Sequence, residues 1–491
     1  MPILALLTLI GLVFRIVVAG DSVFSDELST YWIVSENGLR GVLTTVHGNG
    51  EITPPLYFVL AWLTTRVDLS PEWLRAPSLL AGVATIPMTY LLGSWTVARR
   101  TGLTAAALVA LSPFMILYSA EARGYAVAIA LVMGSTLALL AATERRQTRW
   151  WVLYAACTCA AVYTHYTAVF ALGAQLLWLL WAHPEARRPA LLANAAAALG
   201  FLPWLSGLAN DLDSPTTKIL SQLEPFDLDN VRTSLEHWSI GYPYSLVPLS
   251  SLPGTVGLLL LAGALVVAGV GIALRRPRPS LARLDRRVVL IVTLLLATPV
   301  GEAIASAVGT NVFGTRNLAI AWPPLAIGLA ALLEASGGLR VAAVTLAIAG
   351  FAIGAVKMLD PDRRRPDYEA AAAFIDREAG PGDVVIDATG VSPAPFSAVD
   401  VTLERPHRLL YLRTSGVQYR PFRFLPAPSP AQVADRAAVA ARGHRIFVVT
   451  GPILGRLVMD RLPPTARRVE TRRFPGFLDL RVVTYHDGRQ S

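Results

Sequence analysis

Eleven apolar runs, most of them 17 residues or longer, fill the first 357 residues of this chain. A helix rises about 1.5 Å per residue, so runs of this length cross a hydrocarbon core. The composition agrees: 54% of residues are hydrophobic and 16% charged, where a soluble domain carries roughly a quarter charged. The chain therefore reads as a polytopic α-helical membrane protein. Its first run, PILALLTLIGLVFRIVVAG, lacks an A-x-A-like cleavage site and is expected to stay as a helix rather than leave as a signal peptide. The formal charge of +9 reports loop orientation in such a chain. Without a basic-aromatic module, nucleic acid is not an expected partner. Cys157 and Cys159 lie two apart in an apolar run, about 200° apart around a helix, and read as packing residues.

The expected spans are 3–20, 74–98, 101–118, 124–143, 150–164, 166–182, 189–207, 253–274, 288–307, 317–334 and 339–357. The stretch PPLYFVLAWLTT at 54–65 is too short to cross and reads as an interfacial or re-entrant helix. Charge parity tests that choice. With eleven spans and a cytoplasmic N-terminus, one set of loops collects Arg99–Arg100, Arg145, Arg146, Arg149, Arg187–Arg188, the RRPRPSLARLDRR loop at 275–287, and Arg340. This is the positive-inside pattern. Counting 54–65 as a crossing would break it. The expected place is thus the cell (inner) membrane. On its outer side fall loop 21–73, YSAEARGY at 118–125, YTHY at 163–166, loop 208–252, GTNVFGTRN at 309–317 and the C-terminal residues.

From about Asp360 charges spread throughout. DYEAAAAFIDREAG reads as a helix ending at Gly380, and DVVIDATG as a buried strand. AQVADRAAVAARG followed by HRIFVVTG repeats that order, and RRVETRRFPGFLDLRVVTYH reads as a hairpin around Pro475–Gly476. The expected division is a membrane domain, 1–357, and an extracytoplasmic α/β domain, 358–491. The latter has neither a P-loop nor G-x-G-x-x-G; VVTGPILGR has the wrong spacing. A structural or acceptor-recognition role is assigned to it.

The outer segments carry the chemistry. Asp26 and Glu27 follow the first helix in SDELSTYWIV. One reading makes Ser25 or Asp26 an N-cap; the other makes a carboxylate there a general base. In HGNGEITPPLYF, His47 and Glu51 flank a glycine-rich loop and are the candidate ligands should a divalent ion bind. EARGY supplies Glu121, Arg123 and Tyr125, either a snorkelling pair at a helix end or an arginine fork for a lipid phosphate. YTHY supplies His165 and Tyr166, and GTRN supplies Arg316. Aromatic anchoring at the interface is the bland reading of YTHY. Two arginines, a histidine and several carboxylates together read as a site for an anion and a hydroxyl.

In this order, the Asp26–Glu27 pair, the PPLY helix (Pro54 to Tyr57), EARGY (Glu121 to Tyr125), YTHY (Tyr163 to Tyr166), Arg316 and the RRPDYEAAAAFIDREAGPGDVVI segment resemble the membrane glycosyltransferases of the GT-C fold. The likeness is to the bacterial family 39 group, with the protein O-mannosyltransferases and lipid A aminoarabinose transferases. The resemblance implies about eleven transmembrane helices, a short interfacial helix and a C-terminal extracytoplasmic α/β domain. It implies inverting hexosyl or pentosyl transfer from a polyprenyl-phosphate sugar to a protein, glycolipid or polysaccharide hydroxyl. Membrane lipids surround the site. By the same resemblance, Asp26 is the base with Glu27 behind it. Arg123, Arg316 and His165, with Tyr125 and Tyr166, receive the donor phosphate, and Glu121 orients Arg123. Some members hold a divalent ion near the phosphate. Here His47 and Glu51 sit one residue out of register for it, so the metal stays open. The rival readings are a lipid or polysaccharide transporter or flippase, expected to carry mid-membrane charges, and a non-catalytic cell-envelope scaffold. Arg15 and Glu302 are the main charges inside the spans.

Overall fold

The computed structural model describes the chain apart from residues 1, 215–216, 218–224, 245, 276–284, 310, 391–396, 413–416, 420–421, 425–428, 452–453 and 489–491. Most of the basic loop 275–287, part of VVTGPILGR, and Thr310 of GTNVFGTRN thus lie outside the described residues. Two compact units result. The first joins Met1–Ala19 to Leu39–Met358, and the second joins Gly20–Gly38 to Leu359–Ser491. The expected division placed residues 20–38 in the membrane domain; in the structure they pack as part of the C-terminal unit.

The first unit is helical throughout. Among the described residues, eight helices are long and apolar enough to cross a membrane: Pro2–Ala19, Pro71–Thr96, Tyr125–Arg145, Pro184–Asp213, Ser250–Arg275, Arg286–Val308, Asn317–Glu334 and Gly337–Lys357. A bent pair, Arg99–Leu111 and Pro113–Ser119, makes a ninth candidate. The two other expected runs form helices of 15 residues each, Thr148–Val162 and Ala168–Ala182. The 163–167 turn separates them. The PPLY stretch forms the nine-residue helix Leu56–Thr64, well under the length of a span.

The 64° bend between Leu111 and Pro113 has a local cause and a long-range remedy. Proline has no N–H, so Pro113 cannot bond the carbonyl four residues back, that of Val109. Arg15, fully buried in the first helix, supplies the missing donors. Its Nη2 donates to the Val109 carbonyl at 3.1 Å and its Nη1 to Ala110 at 3.3 Å, while Nε reaches Ser119 Oγ at 3.0 Å. Ser112 caps the new helix by accepting from Met115 N. The intramembrane arginine is thereby satisfied by backbone oxygens, as burial of a charge requires.

The second unit is built on a five-stranded sheet. Its strands are β1 (Val384–Ala388), β2 (Arg408–Tyr411), β5 (Arg445–Thr450), β6 (Ala466–Phe474) and β7 (Leu480–Asp487), ordered β2-β1-β5-β7-β6. β1 runs parallel to β2 and β5, and β6–β7 is the expected antiparallel hairpin. β3 (Val417–Tyr419) and β4 (Phe422–Phe424) pair separately. Side chains alternate across the central strands. Val385, Phe447, Val449 and Val482 face one core, and Val384, Ile386, Ile446, Val448 and Val483 face the other. The helix Pro430–Ala440 covers the second face through Val433, Ala434, Ala437 and Ala441. The helix Tyr368–Glu378 covers the first face with Tyr368, Ala371, Phe374 and Ile375. The same core takes Val23, Phe24 and Leu28 from the loop after the first membrane helix, with Phe24 stacked 6.3 Å from Tyr368. At the hairpin, Gly476 lets the backbone pass close to Pro366; a Cβ there would lie 2.5 Å from the proline Cα.

Candidate active site

In the membrane unit four separate stretches converge. Pro54 and Pro55 lead into the helix Leu56–Thr64, whose first amide donates to the Tyr163 carbonyl at 3.0 Å. Tyr57 donates to the Leu74 carbonyl at 3.1 Å, and Ser78 Oγ donates to the Arg123 carbonyl at 2.9 Å. Gly124 lies against the 163–167 turn, where an added Cβ would meet the Thr164 carbonyl oxygen at 3.0 Å. These bonds draw together the PPLY helix, the EARGY turn and YTHY.

Arg123 is the centre of the cluster. Its Nη1 pairs with Glu51 Oε2 at 2.5 Å, with both side chains less than one-tenth exposed, and its guanidinium lies 5.9 Å from the Phe58 ring centroid. Glu51 is thus a carboxylate that holds the arginine fork. Glu121, expected to orient Arg123, is buried next to it in sequence and accepts the Arg123 amide through its backbone carbonyl. His165 is buried beside them, its ring 5.2 Å from Tyr125. Burial, then the nearby positive charges of Arg123 and Arg316, pushes its pKa down to about 3. Its Nδ1 faces the Thr167 amide and lies 2.8 Å from Thr167 Oγ1. An amide only donates, so Nδ1 is the unprotonated nitrogen and the neutral ring carries its proton on Nε2. His165 therefore offers a hydrogen-bond donor where a cation was expected. Arg316 precedes the short helix Asn317–Ala321 and lines a cavity of about 110 Å³ with Ile52, Asn311, Phe313 and Asn317.

Tyr166 has a structural partner that the sequence did not indicate. Its hydroxyl donates to Asp211 Oδ2 at 2.5 Å and accepts from Trp204 Nε1 at 3.1 Å. Burial, then the negative charge of Asp211, raises its pKa. With its single proton engaged on Asp211, Tyr166 holds the helix Leu205–Asp213 in place. His47 docks on the same helix, with Nε2 at 3.0 Å from Ser206 Oγ and its carbonyl accepting from Asn210. Among the described residues, no three of His, Cys, Asp and Glu gather to hold a metal ion. His47 and Glu51 are engaged with Ser206 and Arg123, so they do not fit a ligand set, and no step below passes through a metal.

Asp26 and Glu27 fold with the C-terminal unit. Asp26 opens the helix Asp26–Ser35 and is half-buried. Ser25 stands at the cap position with no side-chain cap bond and with φ 53° and ψ −124°. Such a conformation costs about 1–3 kcal/mol in a residue with a Cβ. Glu27 is fully enclosed. Its Oε2 accepts from the Phe24 amide at 3.3 Å and pairs with Arg365 Nη1 at 2.7 Å, both side chains at 0% exposure. Asp21 is buried in an ion pair with Arg364.

Residues 53–206 match the family described as dolichyl-phosphate-mannose-protein mannosyltransferase. No curated protein sequence matches the chain at a significant level. The crystal structure of ArnT from Cupriavidus metallidurans in the apo state is similar in fold, with TM-score 0.55 over 98% of this chain and 97% of that one, at 12% identity. This is a GT-C glycosyltransferase fold. The same ArnT bound to undecaprenyl phosphate matches with TM-score 0.52, again at 12% identity over 98% and 97% of the two chains. The expected resemblance to the protein O-mannosyltransferase and aminoarabinose transferase group thus rests on fold along the whole chain and on sequence through the PPLY, EARGY and YTHY segments.

Proposed function

We propose that this chain is a membrane glycosyltransferase that moves a hexosyl or pentosyl group from a polyprenyl phosphate to an acceptor hydroxyl, with inversion, on the extracytoplasmic side of the cell membrane. The observation that carries this reading is the grouping of Arg123, fixed by Glu51, with Arg316 and a neutral His165. That grouping offers two guanidinium forks and one N–H donor to an anion, and guanidinium is suited to phosphate oxygens. A neighbour in fold, ArnT, binds undecaprenyl phosphate. The absence of a nucleotide motif from the sequence fits a lipid-linked donor.

In this reaction the acceptor oxygen attacks the anomeric carbon as the bond to the donor phosphate breaks. Asp26 takes the acceptor proton, and Arg123 and Arg316 neutralise the leaving phosphate, where developing charge is greatest. His165 Nε2–H adds a donor without adding charge. Glu27, held by Arg365, positions the start of the Asp26 helix, which leaves Asp26 as the base. Positive charge on the loops opposite this site supports a cytoplasmic N-terminus and an extracytoplasmic C-terminal unit.

The test is native mass spectrometry of the purified protein with added undecaprenyl phosphate. A bound adduct that is lost in Arg123→Ala supports the reading. No adduct in the wild type, or an adduct equally retained in Arg123→Ala, overturns it.

A further inference from the structure

The C-terminal unit contains a cavity of about 190 Å³ lined by Gly20, Asp21, Ser22, Arg364, Asp367 and Glu369, with Arg365 and two prolines completing its wall. Its frame is tied at every side. Ser22 Oγ accepts the Glu369 amide at 3.2 Å, Asp367 N donates to the Pro475 carbonyl at 3.0 Å, and Phe477 N donates to the Arg364 carbonyl at 2.8 Å. Asp367 also caps the helix Tyr368–Glu378 by accepting from Ala370 N at 2.9 Å. Asp21 pairs with Arg364, and Arg365 is locked on Glu27. The cavity wall is therefore held by hydrogen bonds and ion pairs and is mainly polar.

Its charge pattern selects the chemistry of an occupant. Three carboxylates, Asp21, Asp367 and Glu369, face two guanidiniums, Arg364 and Arg365. A phosphate would bring two or more acceptor oxygens against that carboxylate excess and be repelled. A sugar ring meets the wall differently, since its hydroxyls donate to carboxylates and its oxygens accept from guanidinium. The cavity is also built from the same short stretch of chain, 20–22, that leads into Asp26.

The geometry points to this cavity as an acceptor subsite for a neutral saccharide ring, so that the C-terminal unit holds the acceptor and supplies the base. This rests on the transferase reading and adds to it the class of acceptor: a glycan or glycolipid sugar rather than a serine or threonine of a protein.

The experiment uses the full chain in lipid nanodiscs, with methyl α-mannoside and methyl α-arabinofuranoside as probes in saturation-transfer NMR and inorganic phosphate as competitor. Expected is saturation transfer to at least one glycoside that phosphate does not displace. It should weaken roughly tenfold in affinity in Arg364→Ala and in Glu369→Gln, the loss of one charge-assisted hydrogen bond. Glu369 is exposed, so its variant tests the cavity should Arg364→Ala fail to fold. Neither glycoside binding, phosphate displacing them, or Glu369→Gln binding as the wild type does would overturn the assignment. Undecaprenyl phosphate binding is measured on the same samples. Its loss from the wild type would count against the transferase reading, and its retention with an empty saccharide cavity would count against this subsite alone.

Discussion

Two buried arginine–glutamate pairs sit in the two units, and they are built for different ends. Arg365 and Glu27 have 0% exposure, and Glu27 also accepts the Phe24 amide. Phe24 itself packs into the core of the sheet. Arg123 and Glu51 keep 7% and 9% exposure beside a second arginine and a histidine held neutral. The first pair closes a seam between residues far apart in sequence. The second holds a guanidinium beside a second cationic side chain and a buried histidine. A buried ion pair is by itself weak evidence of stability, so what surrounds each pair separates a staple from a candidate site.

The largest effect expected is at the half-buried acid beside the staple. Asp26→Asn should lower transfer by about 10²–10⁴-fold, the usual range for a general base, with undecaprenyl phosphate still bound in mass spectra. Turnover within a few-fold of wild type would remove Asp26 from the mechanism. Next comes the staple. Glu27→Ala should destabilise the protein by roughly 3–5 kcal/mol by removing the carboxylate that pairs with the buried Arg365, while a paired apolar replacement of Glu27 and Arg365 should restore most of that. Chemical unfolding of the C-terminal unit reads both. A double replacement as unstable as the single one would break the contrast drawn here.

At the other pair, Arg123→Ala should weaken donor binding and turnover together by about 2–4 kcal/mol. Apolar replacement of both Arg123 and Glu51 should not recover either. The smallest effect concerns His165. Its folded pKa is depressed to about 3, so between that value and about 6.5 the unfolded chain binds the extra proton. Stability attributable to this residue is therefore full above about pH 6.5 and falls as the solution is acidified. His165→Gln should flatten that acid limb in thermal unfolding at pH 4–7. An unchanged slope would mean that His165 is not held neutral.

Much of the membrane unit was legible because apolar periodicity is local. Ten of the eleven runs became helices and the run 101–118 a bent helix pair, the PPLY stretch stayed short, and in the C-terminal unit the β6–β7 hairpin formed around Pro475–Gly476. The long-range polar pairings left no such trace. Glu51 meets Arg123 across 72 residues, Tyr166 meets Asp211 across 45, and Arg365 meets Glu27 across 338. A polar residue in a loop announces its type but not its partner, and only the closed fold supplies that. The assignment of 20–38 was missed for the same reason. Val23, Phe24 and Leu28 form too short an apolar pattern to reveal that their core lies at the other end of the chain.

Arg15 carries a consequence for how the protein is made. One of its carbonyl partners is Gly11 of its own helix, and the other two lie 94 and 95 residues downstream. The first helix, with a mean hydropathy of 2.5, therefore leaves the ribosome carrying a guanidinium most of whose lodging has not yet been translated. An arginine at mid-helix costs about 2.5–3.5 kcal/mol on insertion; Arg15, four residues from the end of Pro2–Ala19, costs less than that, and the surrounding Leu, Ile and Val outweigh it at the translocon. Only when the Arg99–Ser119 segment arrives is the charge sheltered. Biogenesis of the bundle thus has an order built into it, with the first helix waiting for the broken one, and a chain halted before residue 99 would present quality control with a helix that has entered the membrane but not yet found its berth.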